Sequence, residues 1–347
     1  MGALAEPLLS VKSLQVDYVT SHGTVRAVRD VSFDVNRGEV FALVGESGCG
    51  KSTSALALMR LVPPRGRTSA GHILFDGLNL QDLSERQMTL VRGKQIGMIF
   101  QNPLVALNPV YRSGYQIAEA VLLDNVSRQE AWRQALDIMG SVKIPDREER
   151  MQSYPHELSG GMRQRVMIGM MISRAPQLLI ADEPTTSLDV TIQAQILDLL
   201  MDLKAKNNMS LLIITHDFGI VADIADRVGV MYAGSLVEQG DVFSIFENPR
   251  HPYTRLLMRA LPTGTKAEGR LETIKGSVPS LVEVPAGCPF HPRCPSVREI
   301  CSSQPPPEHE VRAGHPSPEH GGPSAGHSPS LDGPSTGHRV RCHFWED

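Results

Sequence analysis

Gly45 to Ser52 reads GESGCGKS, which fits the pattern GxxxxGK[ST], and residues of those types at that spacing suit the holding of phosphate. Gly45, Gly48 and Gly50 let the backbone wrap closely enough for amide N–H groups to face phosphate oxygens at a helix N-terminus. Lys51 is positioned to contact the outer phosphates, and the Ser52 hydroxyl to hold Mg²⁺ with help from an acid on a neighbouring strand. Asp182, which ends the run LLIAD, fits that second role. Glu183 follows it directly, so at an extended strand end it points differently from Asp182 and could polarise an attacking water. Read alone, Glu183 is equally well a surface carboxylate.

Such chemistry needs a strand before the glycine loop and a helix after it, and the apolar run Val40 to Val44 and the helix-like STSALALM supply both. Ile96 to Phe100, Leu178 to Ala181 and Leu211 to Thr215 are three further apolar runs of the length of buried strands. The runs at Val40, Leu178 and Leu211 end in polar or glycine residues, where α/β proteins place their chemistry. Apolar runs alternating with helix-like stretches from about Leu8 to Gly240 predict a parallel sheet. Residues 100–172 are expected to be mostly helical, with Ser127 and Glu130 forming a capping box at the head of one helix.

The 347 residues are 41% hydrophobic and 21% charged, which excludes a wholly disordered chain. With a net charge of −4 there is no global basic excess to drive nucleic-acid binding, so phosphate chemistry must be local. The start, MGALAEPLLSVKSLQVDY, lacks a charged region followed by a continuous apolar one, and the chain is expected to stay in the cytosol. The most apolar stretch, VMIGMMISRAPQLLIA, is broken by Arg174 and Pro176 and is not expected to span a membrane. Residues 314–337 are almost wholly Gly, Pro, Ser, His and acid, a composition expected to form a disordered loop.

Leu158 to Arg165, LSGGMRQR, places two glycines at a helix start, again a form suited to an anion. With the phosphate loop before it, LLIADEP after it, then SLD (Ser187 to Asp189) and His216 after the fourth apolar run, the chain resembles the nucleotide-binding subunits of ABC transporters from Leu8 to Gly240. That resemblance implies a RecA-like α/β P-loop domain with a helical subdomain and an antiparallel β subdomain. It also implies ATP and Mg²⁺ as ligands, with ATP contacts from Tyr18 by stacking and from Gly45, Glu46, Ser47, Gly48, Cys49, Gly50, Lys51, Ser52 and Thr53. Mg²⁺ falls to Ser52, Asp182 and Gln101, and Gln101 also senses the membrane partner. Glu183 becomes the catalytic carboxylate and His216 the switch that contacts the γ-phosphate. Ser159, Gly160, Gly161 and Met162 act on the ATP of a partner chain, and Asp189 lies in the dimer-bridging loop. Tyr18 could instead be a core-packing strand residue, and His216 a hydrogen-bonded structural histidine. Met162 stands where the family commonly has glutamine; the two glycines and Ser159 remain, so competence is expected to be retained.

Beyond Gly240 proline density climbs, and Cys288, Cys294, Cys301 and Cys342 follow with spacing C-x5-C-x6-C-x40-C. In a cytosolic chain such thiols are metal ligands or free thiols rather than disulfides; four can hold zinc or ligate an iron–sulfur cluster. Cys49 is a small residue at a permissive position, and an exposed thiol there would let oxidation block ATP. His315, His320, His327 and His338 could hold a transition metal, but among Gly and Pro they read better as a solvated linker.

The peptide-uptake branch of ABC importers is similar in its ending: HPYT within Asn248 to Leu257, then CPF-PRCP, then a third and a fourth cysteine, together with FQNPLVALNP at Phe100 to Pro109. The resemblance implies a [4Fe–4S] cluster on Cys288, Cys294, Cys301 and Cys342, with zinc as the alternative, and domains at 1–245 (ATPase) and 246–347 (cysteine-containing C-terminal extension). It implies an ATPase subunit at the cytoplasmic face of the membrane, powering uptake of dipeptides or oligopeptides. Its partners are a second, homologous ATPase in a heterodimer, two transmembrane permease subunits and an extracytoplasmic substrate-binding protein, with no nucleic acid. Nickel or another small solute is the alternative cargo, and a soluble, non-transport ABC ATPase the alternative class.

Overall fold

The computed structural model describes residues 6–21, 23–186, 188–260, 274–311 and 337–346. In chain order its strands are β1 (Leu9–Thr20), β2 (Gly23–Val35), β3 (Val40–Val44), β4 (Gly66–Phe75), β5 (Leu78–Asn79), β6 (Ile96–Ile99), β7 (Leu178–Asp182), β8 (Ser210–Thr215), β9 (Arg227–Tyr232), β10 (Ser235–Asp241), β11 (Glu308–Val311) and β12 (His338–Arg341). The four predicted runs are β3, β6, β7 and β8. With β9 they form the parallel heart of a sheet ordered β11-β12-β10-β9-β3-β8-β7-β6. β1, β2, β4 and β5 make a separate antiparallel sheet ordered β2-β1-β4-β5.

The apolar runs are continuous rather than alternating because both faces of the parallel strands are covered. Successive side chains leave a strand on opposite faces, and β3 shows the consequence. Val40, Ala42 and Val44 enter one core with the helices, whereas Phe41 and Leu43 enter a second core with Leu9, Val11 and Phe33 of the antiparallel sheet. β7 and β8 divide in the same way, Leu179 and Ile213 facing one core and Ile180 and Ile214 the other. Phe33 and Phe41 stack at 5.1 Å between centroids and fasten the two sheets together.

Between β6 and β7 the chain is helical: Pro103–Ala106, Ser113–Leu122, Arg128–Ser141, Arg147–Arg150 and Gly160–Ile172, with a short turn of tighter helix at Pro155–Glu157. Ser127 caps the third of these by accepting from the Glu130 N–H at 3.2 Å. The expected capping box is only half formed, because the Glu130 carboxylate turns instead to Arg133 and Gln134.

The cysteine-bearing segment does not stand apart. β12 pairs with β10, and β11 with β12, extending the large sheet at one edge. His338, grouped above with the linker histidines, is a strand residue only 5% exposed. Its Nε2 lies 2.7 Å from Oε1 of Glu238, a buried carboxylate that also accepts the N–H groups of Arg250 and His251. The loop expected over 314–337, with His315, His320 and His327, lies outside the described residues apart from Gly337.

Candidate functional site

β3 delivers the chain into Gly45, and the helix Lys51–Leu58 leaves from Gly50. Two of the glycines are required by space as well as by backbone angle. Gly45 has φ 149 and a Cβ there would sit 2.2 Å from the Met231 carbonyl oxygen; Gly50 has φ 106 and a Cβ would sit 2.3 Å from that of Ala27. Lys51 is buried, its ammonium donating to the carbonyl oxygens of Gly45 at 2.7 Å and Glu46 at 3.0 Å. The Ser52 hydroxyl donates to Asp182 Oδ1 at 2.8 Å. Burial pushes the Asp182 carboxyl above its usual range, with the Ser52 hydrogen bond opposing and the Glu183 charge adding to the rise. A hydroxyl and a carboxylate at one point are the oxygen donors a hard divalent cation takes, and a cation there would favour the ionised acid.

Glu183, at the exit of β7, has φ 46, a left-handed backbone that costs a non-glycine residue on the order of 1–3 kcal/mol and is held by its surroundings. Its N–H donates to the Ile214 carbonyl at 2.9 Å. Its carboxylate accepts from Gln101 Nε2 at 2.7 Å and Thr186 Oγ1 at 2.9 Å, and Oε1 lies 3.4 Å from His216 Nδ1. Burial pushes this carboxyl up, but the hydrogen bonds from Thr186 and His216, with the charges of His216 and Lys51, outweigh it and hold the group below the usual glutamate range. Glu183 is thus a carboxylate, the form that accepts a proton.

Gly45, Glu46, Ser47, Gln101, Glu183 and His216 line one cleft together with Phe218 and Leu257. Its volume of about 390 Å³ falls in the range of small-ligand sites. Tyr18 is not among these residues; its ring lies over Gly66, where a Cβ would approach to 2.5 Å. Cys49 is fully buried and its thiol is pushed up by burial, which removes the exposed, oxidisable thiol considered above.

Ser159, Gly160, Gly161 and Met162 do not line the cleft either. Ser159 caps the helix Gly160–Ile172 through the Met162 N–H at 3.3 Å. Gly161 lies against Ile192, whose Cγ2 would be 2.8 Å from an added Cβ, so this helix start abuts the helix Val190–Asn207. That second helix is capped by Asp189, which accepts from the Ile192 N–H at 3.0 Å. Ser187 lies outside the described residues. Gln164 Nε2 donates to the Pro184 carbonyl at 2.6 Å, tying the LSGG helix to the turn that carries Glu183.

Cys288, Cys294, Cys301 and Cys342 all line one cavity, beside Phe290 and His251. The Cys288 N–H donates to the Cys301 carbonyl at 2.8 Å, and Gly287 needs its φ of 68 and its missing Cβ to pass that same oxygen. Burial pushes the Cys288 thiol up to about 11. Among the described residues, no three His, Cys, Asp or Glu side chains stand close enough together to hold a metal ion.

Sequence reasoning missed Thr186, Tyr253 and Arg293. The Thr186 hydroxyl on Glu183 is the one with a local signal, a hydroxyl residue three positions after the acid in the turn. The other two reach Glu46 from sequence separations of 207 and 247 residues.

Residues 28–186 match the family model described as ABC transporter, and residues 237–301 the one described as oligopeptide/dipeptide transporter, C-terminal region. The chain is 50% identical to a probable peptide ABC transporter ATP-binding protein of Sinorhizobium fredii, over 87% of this chain and 91% of that one. It is 48% identical to the oligopeptide transport ATP-binding protein OppD of Escherichia coli, over 88% and 90% of the two chains. To the dipeptide transport ATP-binding protein DppD of the same organism it is 48% identical, over 86% and 92%. Among solved structures, CbiO1 of Clostridium perfringens, part of the ABC transporter complex CbiONQ, superimposes with TM-score 0.60 at 30% identity, covering 70% of this chain and 92% of that one. A dimeric ATP-binding cassette bound to ADP and phosphate superimposes with TM-score 0.61 at 23% identity, covering 67% and 98%, and shares the fold. Fold, motif order and identity along nearly the whole chain agree, and the protein belongs to the ABC transporter ATP-binding family, in the branch that carries the oligopeptide/dipeptide transporter C-terminal region.

Proposed function

We propose that this chain is the ATP-hydrolysing subunit of a binding-protein-dependent ABC importer that powers uptake of dipeptides or oligopeptides. The observation that carries the enzymatic half is the Glu183 carboxylate, held by Gln101, Thr186 and His216 at the rim of a glycine-loop cleft. The C-terminal region at 237–301 and the peptide-transport relatives support the cargo.

In this mechanism the loop amides and Lys51 receive the phosphates of ATP. Ser52, Asp182 and Gln101 would hold Mg²⁺, which would neutralise phosphate charge. Glu183 orients a water and takes its proton, while His216 faces the outer phosphate. Tyr18 stacks on the base, and Gly48, Cys49, Gly50 and Thr53 complete the loop contacts. Ser159, Gly160, Gly161 and Met162 serve the ATP of a partner chain, with Asp189 at the junction. On this reading a complete site needs two chains. ATP then favours the closed dimer and hydrolysis the open one, a population shift that can drive a bound permease.

The reading assigns 1–245 to the ATPase domain and 246–347 to the extension. It places the chain peripherally at the cytoplasmic face of the membrane, with a second ATPase in a heterodimer, two permease subunits and an extracytoplasmic peptide-binding protein. Among the described residues no helix is long and apolar enough to cross a membrane. Cys288, Cys294, Cys301 and Cys342 are the candidate ligands of a [4Fe–4S] cluster, or of zinc. Four thiols lining one cavity are a suitable donor set, although to bind a metal the side chains would have to draw closer together.

Tagging the chain, solubilising membranes of its host and identifying what co-purifies tests the transport reading. Two multi-span proteins, a second ATPase and a peptide-type binding protein are expected. Recovery with ribosomal or DNA-repair proteins and no membrane subunit would overturn it. Iron and sulfide analysis of the same anaerobic preparation tests the cluster, and zinc alone or no metal would contradict it.

A further inference from the structure

The glycine loop is gripped from far along the chain. Arg293 sends both terminal guanidinium nitrogens to the Glu46 carboxylate, Nη1 at 2.7 Å from Oε2 and Nη2 at 3.0 Å from Oε1. Its Nη1 also donates to the Tyr232 hydroxyl at 3.3 Å, and its Nε to the Lys275 carbonyl at 3.1 Å. Glu46 is held through its backbone as well, its N–H donating to the Tyr253 hydroxyl at 3.0 Å and its carbonyl accepting from Lys51. Behind them Tyr232, Tyr253 and Phe290 pack edge and tilted, with centroids 4.7 to 5.3 Å apart.

The side chain of Arg293 is 5% exposed, and that of Glu46 27%. Glu46 lines the same cleft as Glu183 and His216, so its carboxylate is a negative charge beside a site for a polyanion. Unpaired, it would repel the incoming phosphates and be free to turn toward them. A planar guanidinium fork fixes a carboxylate in both position and plane, which a lysine ammonium does not.

We propose that Arg293 is a positioning residue for nucleotide binding: its fork holds the Glu46 carboxylate on the cysteine-segment side of the loop, away from the phosphates. The proposal rests on the nucleotide reading of Gly45 to Ser52. Arg293 touches no reacting atom and acts through Glu46. It sits in the tight turn His291–Arg293, directly before Cys294, so the backbone of the cysteine segment and the nucleotide loop are mechanically joined.

The test is nucleotide titration of the purified full-length chain with a fluorescent ATP analogue, its ADP counterpart and the AMP counterpart, with circular dichroism to establish folding. Arg293→Met is expected to weaken ATP binding about tenfold, the order of one lost charge-assisted pair. The loss shrinks from ATP to ADP to AMP, because the repulsion scales with phosphate charge. Adding Glu46→Gln to Arg293→Met is expected to recover most of the loss, since the charge that needs holding is gone; a purely structural arginine would show no such rescue. If Arg293→Met does not fold, Arg293→Lys takes its place, with a smaller loss in the same ATP to AMP order. Wild-type affinity in the folded variant, or an equal loss for all three nucleotides with no rescue, would overturn the proposal while leaving the nucleotide reading intact. Failure of the wild-type chain to bind ATP, with Lys51→Ala no different, would overturn both.

Discussion

Gln101 and Glu183 meet across the cleft, the amide Nε2 donating to the carboxylate Oε2 at 2.7 Å. Gln101 is the second residue after β6, where the chain turns into its helical segment, and Glu183 directly follows β7. The contact therefore links the start of the helical segment to Glu183, the proposed base. Gln101→Ala is expected to lower ATP turnover about tenfold through misorientation of Glu183, read as kcat in the assembled transporter. Unchanged kcat would show that the contact does not orient the base.

Lys51→Ala removes the one ammonium buried in the loop. Nucleotide affinity should fall by about tenfold to a hundredfold, as expected for loss of a charge-assisted phosphate contact. Equilibrium titration with ATP measures it, and unaltered binding would refute the phosphate cradle.

Gly50→Ala meets two obstacles together, φ 106 and a Cβ placed 2.3 Å from the Ala27 carbonyl oxygen. A cost of about 3 kcal/mol in stability follows from strain plus overpacking. Urea denaturation reads that cost as a lowered midpoint. The backbone atom cannot retreat as a flexible side chain would, so Gly48→Ala, with no heavy atom within 4 Å of its Cβ, should cost less.

Met162→Gln restores the residue common at this point of the family, yet turnover should stay within about threefold. Ser159 caps the helix through the backbone N–H of residue 162, which any side chain except proline provides. A rise of orders of magnitude would show that methionine cripples the site.

The central strands and the phosphate loop were legible because their signals are local. β3, β7 and β8 are short apolar runs, and GESGCGKS and LLIADE carry their chemistry in consecutive residues. The order of the other motifs supplied Gln101 and His216 of the cleft but not Phe218 or Leu257. Illegible were the contacts made by distant, irregular chain. His338 sits in HRVR, which shows little of a strand's apolar alternation, and its burial depends on Glu238, 100 residues away. Arg293 reads as one more polar residue among prolines until the fold brings it to Glu46. The Glu130 side chain had two competing uses, and Arg133 and Gln134 one turn on won over the cap.

Glu183→Gln, made together with the matching amide substitution in whichever ATPase chain pairs with it, is the most direct test of the whole account, read as uptake of a labelled oligopeptide and ATP hydrolysis by the reconstituted complex. ATP should still bind, while hydrolysis and uptake both fall by about a hundredfold or more, the scale of a lost general base. Hydrolysis and peptide uptake at the wild-type rate would contradict it.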